Sequence, residues 1–478
     1  MEGSHKNRLR DRIVDLFDEK LSKRYATEIS PRFQPPAVRP GEQSATTYRI
    51  CKRCVMDSSD PEITFDDEGV CQHCRNYDKQ IALYVKRDAA GWAEMEAIAE
   101  TIRKEGEGKP YDCIIGLSGG VDSTYVAYLV VKKLGLRPLA VHMDNGWNTE
   151  IAVRNIENVV TRLGIDLHTV VLDWEEFRDL QASFIRAGVA DCEIPTDHAI
   201  GAVLYKTAIE KGVRFIIGGS NLATEQMVPR TWSSGHGDWR YIRTLQKQFG
   251  SKKLESYPHY TFWEHAIYWP YVREMRMVYV LNYIEYNKIE AIDLMKAELG
   301  WVSYGDKHHE SIYTRFYQTQ YLIEKFGADK RRPHLSCLIN DHRMTRDEAL
   351  AELQRPPIAE EIAKTDREFV LKKLGLTEAE YAKVLAAPPK TYWDFDSDEK
   401  YFPDKAYHWA LHNLDLLKNP VRVLSGRAWK SVCDGFAAGF EWLRVKWLFI
   451  WLWVKILVKL PFRLAWRILK RVIARPKA

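Results

Sequence analysis

The sequence of 478 residues lacks any run of 18 consecutive apolar residues, which is about the length that an ordinary transmembrane helix needs. Its opening, MEGSHKNRLRDRIVDLF, has no long apolar segment, so we expect no secretory signal. No internal repeat is visible. With 46% hydrophobic and 28% charged residues, the composition excludes a disordered or collagen-like chain. We therefore expect a cytoplasmic, globular protein of several domains.

Cysteine is scarce, with eight residues in all, and its pattern does not suit a disulfide scaffold. Four cysteines form two CxxC pairs, Cys51 with Cys54 and Cys71 with Cys74. Two such pairs at this separation are typical of a tetrahedral zinc site with four cysteine ligands. We predict a structural zinc ribbon over residues 49–80, and the alternative is a redox or iron–sulfur use of the same thiols.

Two common nucleotide motifs are also absent, the Walker A loop and the dinucleotide fingerprint GxGxxG. The segment SGGVDS stands in their place, after a short apolar strand and at the start of a helical pattern. Its glycines let backbone amides approach an anion, and the helix N-terminus adds partial positive charge. The segment predicts a phosphate loop made of Ser118, Gly119, Gly120, Val121, Asp122 and Ser123. Asp122 either holds Mg²⁺ or orients the loop, and Ser118 and Ser123 are the other catalytic candidates.

Strand and helix signals alternate from residue 112 to residue 219 and then give way to a helical region. Such alternation predicts an α/β fold with a doubly wound parallel sheet. The predicted strands are 112–117, 138–143, 167–172 and 214–219, and the predicted helices are 123–135, 150–164 and 198–212. The predicted domains are a helical arm and Pro-rich linker (1–48), the zinc ribbon (49–80), the nucleotide domain (81–270), a helical extension (271–395), a linker (396–420) and a basic tail (421–478).

Charge is distributed unevenly along the chain. Residues 421–478 contain 13 Lys and Arg against 2 Asp and Glu, whereas the rest of the chain is mildly acidic. An acidic body argues against a large nucleic-acid surface. The tail is Trp-rich and amphipathic, which predicts either a segment lying in the cytoplasmic membrane surface or a helix packed on protein. The N-terminal arm is either a solvated helix or a partner-docking helix.

The motif SGGVDS resembles the pyrophosphate loop of the N-type ATP pyrophosphatases, the PP-loop superfamily. Six blocks in order resemble the N-acetyl sugar amidotransferases of bacterial surface-polysaccharide and nonulosonic-acid biosynthesis. They are CKRCVMDSSDPEITFDDEGVCQHC (51–74), GLSGGVDSTYVAYL (116–129), HMDNGWN (142–148), IPTDHAI (194–200), GGSNLATE (218–225) and KHHESIYTRFYQTQYLIEKFGADKRRPHLSCLI (307–339). The resemblance covers roughly residues 50–395 and implies an adenine nucleotide alpha-hydrolase-like fold.

The resemblance implies which residues bind ATP and substrate. Beside the phosphate loop, the ATP-site candidates are Asp144, Asn145, Gly219, Asn221 and Glu225. The substrate-site candidates are Asp197, His198, Lys307, His308, His309, Glu310 and Arg315. Arg331 and Arg332 either contact phosphates or form a solvated turn.

The implied reaction converts the N-acetyl group of a nucleotide-linked sugar into an acetamidino group. ATP with Mg²⁺ would adenylate the amide oxygen, and ammonia would displace AMP. Because no glutaminase signature stands out, the resemblance also implies a separate glutaminase subunit and a barrel-like ammonia-channel subunit as partners.

Two other functions compete with this one. The first alternative is a zinc-containing PP-loop tRNA thiolase, which would need a sulfur-carrying cysteine such as Cys113 or Cys192. Cys113 falls in a predicted buried strand, and Cys192 is ambiguous. The second alternative is a non-catalytic scaffold that tethers partners to membrane, against which the intact SGGVDS loop counts.

Overall fold

Five parallel strands form the centre of the computed structural model, which describes residues 48–303 and 311–401. The order across the sheet is β3-β2-β1-β4-β5. The strands are β1 (Cys113–Gly116), β2 (Pro138–Asp144), β3 (Asp166–Val171), β4 (Phe215–Gly218) and β5 (Arg276–Tyr279). The chain builds outward from β1 to β3 and then returns to the other side of β1 with β4. The topological switch point, where open α/β sheets bind ligands, therefore lies between the carboxyl ends of β1 and β4.

The middle of the sheet is fully buried because helices cover both of its faces. Ile115 lies opposite Ala140 on β2 and Ile217 on β4, and none of these three side chains is exposed. Short apolar runs of this kind are typical of parallel strands that are buried on both faces. The predicted α/β fold with a parallel sheet is thus confirmed.

The helices that surround the sheet are numbered here in chain order. Before the switch they are α1 (Gln72–Tyr84), α2 (Ala89–Glu105), α3 (Val121–Tyr128), α4 (Glu150–Leu163), α5 (Trp174–Ala187) and α6 (Ile194–Glu210). After β4 they are α7 (Leu222–Glu225), α8 (Trp239–Phe249), α9 (Lys288–Leu299), α10 (Ile312–Phe316), α11 (Leu322–Phe326), α12 (Arg331–Asn340), α13 (Arg346–Leu353), α14 (Glu360–Leu374), α15 (Glu378–Ala386) and α16 (Asp398–Tyr401). Wider π-helical turns extend α3 over Leu129–Lys133 and join α10 to α11 over Tyr317–Tyr321.

One part of the sequence prediction is wrong, because the region after residue 270 is not wholly helical. Strand β5 lies there and pairs in parallel with β4, with Ile217 opposite Val278. Four residues are too few to show a period, and the strand exists through tertiary pairing. Gly218 makes the pairing close, since a Cβ at this position would lie 3.3 Å from the ring of Tyr279.

The helical extension after β5 is built around a mixed core with the nucleotide domain. Trp147, Phe177, Tyr313 and Tyr381 belong to one buried cluster. Helix α15 begins with a capping box, in which the side chains of Thr377 and Glu380 accept hydrogen bonds from each other's backbone amides. Within residues 48–303 and 311–401, no helix is long and apolar enough to cross a membrane.

The predicted domain limits stay predictions, although residues 48–401 belong to one compact unit. The N-terminal arm and the basic tail lie outside the described residues. The same holds for Lys307, His308, His309 and Glu310.

Candidate functional site: the phosphate loop and its surroundings

The predicted phosphate loop lies at the carboxyl end of β1 and leads into α3. Gly119 has φ +78°, and a Cβ there would lie 2.4 Å from the carbonyl oxygen of Ala152. Only glycine fits this position without strain. The Gly119 carbonyl accepts hydrogen bonds from Trp301 Nε1 at 3.0 Å and from Asn155 Nδ2 at 3.3 Å. The turn is therefore fixed from α4 and from the segment after α9.

The two serines of the loop hold its shape from inside. Their hydroxyl oxygens lie 3.1 Å apart, and the Gly120 amide donates to Ser118 Oγ at 3.3 Å. Ser123 Oγ also accepts from the Ser118 amide at 3.2 Å. The loop opens α3, so these two hydroxyls lie at a helix N-terminus, whose partial positive charge suits an anionic ligand.

Asp122 lies in the first turn of α3, where a partner from a distant part of the chain meets it. The Tyr286 hydroxyl donates a hydrogen bond to Asp122 Oδ1. Tyr286 follows β5, and it was not among the predicted site residues of the helical extension. No local signal could have identified it, because the two residues are 164 positions apart.

The loop after β2 contains the predicted adenosine contacts Asp144 and Asn145. Each side chain accepts a hydrogen bond from the amide two residues on, at 2.8 Å from Gly146 and 3.2 Å from Trp147. These bonds shape the turn and keep its backbone at the edge of the sheet. Lys373 of α14 donates to the Gly146 carbonyl, so the helical extension contacts this loop directly.

The loop after β4 comes close to the phosphate loop. A Cβ on Gly219 would lie 3.2 Å from the Asp122 carbonyl carbon, so a larger residue would crowd the phosphate loop. Asn221 caps α7 by accepting from the Thr224 amide at 3.0 Å, and Glu225 accepts from the Asn221 amide at 3.3 Å.

One further observation shows that the loops after β1 and β4 suit an ATP ligand. The Asn221 Nδ2 group is buried and has no hydrogen-bond partner among residues 48–303 and 311–401. Buried amide groups are rarely left without a partner, so an orphaned donor at this edge suits a ligand acceptor. The glycine cradle at Gly119 and the α3 N-terminus provide the matching site for phosphates.

The substrate-site candidates that the structure describes do not gather into one open site. His198 is fully buried. Its Nδ1 donates to the His236 carbonyl at 2.8 Å, and its Nε2 accepts from the Tyr260 amide at 3.2 Å. Burial lowers its pKa to about 3. Arg315 pairs with Asp366 through two bonds of 2.6 and 2.8 Å. In this structure both side chains are engaged in packing, with neither ring nitrogen of the histidine left for a ligand.

Asp197 instead belongs to a cluster of charged groups at the start of α6, which the sequence analysis did not identify. His236 Nε2 lies 3.2 Å from carboxylate oxygens of both Asp191 and Asp197. Burial works against the charged imidazole, but the two carboxylates outweigh it and raise the pKa of His236 to about 10. Glu193 accepts a hydrogen bond from Thr314 Oγ1, and burial with the neighbouring carboxylates raises its pKa to about 8.

The four paired cysteines meet in one buried cluster. Neighbouring sulfur atoms are 3.7 to 4.0 Å apart, close to the edge of about 3.8 Å that a tetrahedron with Zn–S bonds of about 2.3 Å requires. Backbone amides of Cys54 and Cys71 donate to Cys51 Sγ at 3.4 and 3.3 Å. All four side chains are fully buried, so the set suits a closed structural site.

This cysteine cluster is packed against the nucleotide domain and the helical extension. Arg346 Nε donates to the carbonyls of Cys51 and Cys54 at 3.1 Å. Tyr77 of α1 donates to the Ala223 carbonyl at 3.0 Å, beside the loop that follows β4. Arg332 donates to the Val55 carbonyl at 2.7 Å, so it ties the ribbon to α12.

Two isolated cysteines bear on the thiolase alternative. Cys113 in β1 and Cys192 before α6 are both fully buried. Burial raises the pKa of both thiols, which keeps them protonated and poorly nucleophilic. Neither cysteine has the exposed, activated character that sulfur transfer requires.

Comparison with protein families gives two matches along the chain. Residues 94–238 match the family "NAD synthase", and residues 310–410 match "LPS biosynthesis protein WbpG-like, C-terminal domain". The first match defines the class of the fold, a PP-loop domain of the NAD synthase type. The second shows that residues 310–410 are similar to the C-terminal domain of WbpG-like proteins. Together they confirm the resemblance to the PP-loop superfamily and to surface-polysaccharide biosynthesis proteins.

The chain is also similar to individual proteins. The chain is 25% identical over 313 residues to an uncharacterized protein of Methanocaldococcus jannaschii, which covers 65% of this chain and 95% of the relative. It is 37% identical over 102 residues to a GMP synthase (glutamine-hydrolyzing) of Pyrobaculum aerophilum. That match spans 21% of this chain and only 18% of the relative.

Among solved structures, an NMN synthetase from Francisella tularensis aligns with 64% of this chain and 95% of its own, at 13% identity and a TM-score of 0.28. The strand order and the family match, not this superposition, establish the fold.

Proposed function

We propose that the protein is an ATP-dependent amidotransferase that converts the N-acetyl group of a nucleotide-linked sugar into an acetamidino group. The observation that carries the proposal is the phosphate loop at the sheet's switch point in one chain with a WbpG-like domain. An NAD synthase-like domain joined to a domain of LPS biosynthesis proteins supports an ATP-using, amidotransferase-like role.

The proposed chemistry proceeds in two displacements. The amide oxygen of the N-acetyl group attacks the α-phosphorus of ATP, and the α–β bond breaks to release pyrophosphate. Ammonia then adds to the activated carbon, whose bond to oxygen breaks to release AMP and a proton. The amidine nitrogen comes from ammonia, and no oxidant or reductant is needed.

The chain's own groups would bind the charged reactants and position them. The amides of the phosphate loop, with Ser118 and Ser123, would hold the pyrophosphate end of ATP as charge builds on it. Asp122 would hold Mg²⁺, and a bound Mg²⁺ supplies neutralisation of the phosphate charge. Asn221 would donate its unpartnered amide hydrogen to the nucleotide.

The acceptor would lie between the nucleotide loops and the start of α6. The segment after β2 is bridged to Ser311 through Asn148, and Thr314 in the next helical turn contacts Glu193. These contacts link the loop after β2 to the charged cluster around His236. Lys307, His308, His309 and Glu310, which precede Ser311 directly, remain proposed substrate residues.

Ammonia would be supplied by other proteins. We assign this role to a separate glutaminase subunit, with a barrel-like subunit as the ammonia channel. The four-cysteine cluster would hold one structural Zn²⁺.

The reaction is tested by mixing the full chain with ATP, Mg²⁺, an ammonium salt and UDP-diacetamido sugars. The expected result is a product whose mass differs by the exchange of O for NH, together with AMP and pyrophosphate. Release of AMP with an unchanged sugar, or transfer of sulfur to tRNA, would overturn the proposal.

The source of nitrogen is tested with the same mixture. We expect turnover with ammonium but none with glutamine, until a glutaminase is added. Glutamine-dependent turnover by the pure chain would show that the partner is unnecessary.

A further inference from the structure

The hydrogen bond between Tyr286 and Asp122 joins the phosphate loop to a residue that belongs to none of the sequence motifs. Asp122 is in the first turn of α3, and one of its oxygens, Oδ1, accepts from the Tyr286 hydroxyl. Among the described residues, no other hydrogen bond to this carboxylate is found. One oxygen is thus held and the other is left for a ligand.

Tyr286 is fixed by contacts that do not involve Asp122. Its side chain is 5% exposed, and its ring stacks on Tyr125 with a centroid separation of 5.4 Å. Its carbonyl oxygen accepts from Arg343, which also pairs with Asp341. The fold therefore fixes the orientation of the Tyr286 hydroxyl, so little side-chain entropy is lost at this residue when a ligand binds.

The same segment also contacts the second nucleotide loop. Asn282 Oδ1 accepts from the Leu222 amide at 3.0 Å, at the start of α7. The stretch after β5 therefore touches the loops that follow β1 and β4, on both sides of the switch point. A hydroxyl at this place remains a donor, because burial and the nearby Asp122 charge raise the pKa of Tyr286.

We propose that Tyr286 is a positioning residue, which holds the Asp122 carboxylate in the orientation that binds the divalent metal of the metal–ATP complex. The inference rests on the proposed function in one respect, namely that the phosphate loop binds ATP with a metal. An ordered carboxylate binds a metal more tightly than a mobile one, because partners of a ligating group fix its orientation.

The test measures binding and needs no sugar substrate. Affinity of the full chain for ATP is determined by calorimetry with Mn²⁺ present and with EDTA, for wild type, Tyr286→Phe and the matched control Tyr125→Phe. The control removes a hydroxyl from the other ring of the stacked pair. We expect Tyr286→Phe to weaken metal–ATP binding about tenfold, the size of one hydrogen bond to a charged group, with metal-free ATP binding unchanged. Tyr125→Phe is expected to match wild type.

A second experiment, in the Asp122→Asn variant, distinguishes a positioning role of Tyr286 from a packing role. In Asp122→Asn, the additional change Tyr286→Phe is expected to have no effect on metal–ATP binding, because the hydroxyl acts through the carboxylate. Equal metal–ATP affinity in wild type and Tyr286→Phe would overturn the inference while leaving the amidotransferase proposal intact. Equal loss with Mn²⁺ and with EDTA would also overturn it, since that result indicates a packing role. If no sugar is converted but the metal-specific loss is found, the inference holds and the proposed reaction falls.

Discussion

The loops after β1 and β4, called here the nucleotide side, differ from the charged groups at the start of α6 and on α10, called here the proposed acceptor side, in how their polar groups are paired. On the nucleotide side, the loops are shaped by glycine and backbone bonds, and among the described residues Asn221 Nδ2 has no hydrogen-bond partner. On the acceptor side, His236 pairs with Asp191 and Asp197, and Arg315 pairs with Asp366. A group without a protein partner is available to a ligand, whereas a saturated group contributes mainly to the fold.

The largest expected effect on turnover comes from substitutions on the nucleotide side. In Asp122→Ala or Ser118→Ala, AMP formation is expected to fall at least about 10²-fold. The first change removes the carboxylate proposed to hold Mg²⁺, and the second removes a hydroxyl proposed to bind the pyrophosphate end of ATP. The fold should survive, because neither side chain fills the core. AMP release is measured under saturating ATP, with Asp67→Ala in an exposed turn of the ribbon as the control. AMP release at the wild-type rate would remove these residues from the site.

The second effect concerns the four-cysteine cluster, which contacts the nucleotide side through Tyr77 and Ala223. We expect one Zn²⁺ per chain by elemental analysis, and loss of the thermal transition after chelation or in Cys54→Ser. Metal binding of about 10 kcal/mol would contribute to folding in such a site. Cys433→Ser, which changes a cysteine outside the two CxxC pairs, is the control. Iron, or no metal, would contradict the assignment.

The same contrast explains what the sequence could predict. The phosphate loop could be predicted because its residue types and spacing are local: two glycines and two serines lie within the six residues 118–123, between a strand and a helix. Strands β1, β2 and β4 were identified because each contains a buried apolar run, whereas β3, which was also predicted, is mostly exposed. Tyr286 and strand β5 were not predicted. Tyr286 is linked to the site only by its hydrogen bond to the distant Asp122, and β5 forms only by pairing with β4.

The substrate candidates show the converse. His198 and Arg315 lie in segments that resemble the N-acetyl sugar amidotransferases, and both were predicted as substrate residues because histidine and arginine are common ligand-binding residue types. Their buried partners, the His236 carbonyl and Asp366, come from 38 and 51 positions away. A sequence does not show which of its polar groups have been satisfied by distant ones.

The third prediction sharpens the acceptor side. Arg315→Ala leaves Asp366 buried without its partner, which costs about 3–5 kcal/mol in such pairs. We expect a lower free energy of unfolding by denaturant titration, with KM for the sugar nucleotide unchanged in the folded fraction. The double variant Arg315→Met with Asp366→Leu should recover part of the stability. A raised KM at unchanged stability would instead make Arg315 a substrate residue.

A smaller effect depends on pH. Because the folded pKa of His236 is raised to about 10 from about 6.5, its stabilising contribution is complete below pH 6.5 and is lost as the pH rises through 10. The imidazole is 37% exposed, so solvent screening limits the effect to about 1 kcal/mol. Denaturant unfolding at pH 6.5 and pH 10 should show this loss in wild type. In His236→Gln the difference should be smaller by that amount, and an identical difference would exclude the pairing.

The smallest effect on turnover is expected from the tail, residues 421–478, which lies outside the described residues and is assigned to neither side. Lys455, Lys459, Arg463, Arg467 and Arg471 recur every four residues, and on a helix they would form one broad cationic face. Such residues attract anionic headgroups at about 1 kcal/mol each. Truncation after residue 420 should leave turnover on soluble sugar nucleotide unchanged and abolish binding to anionic liposomes in sedimentation. Equal sedimentation with and without the tail would favour the alternative, a helix packed on protein.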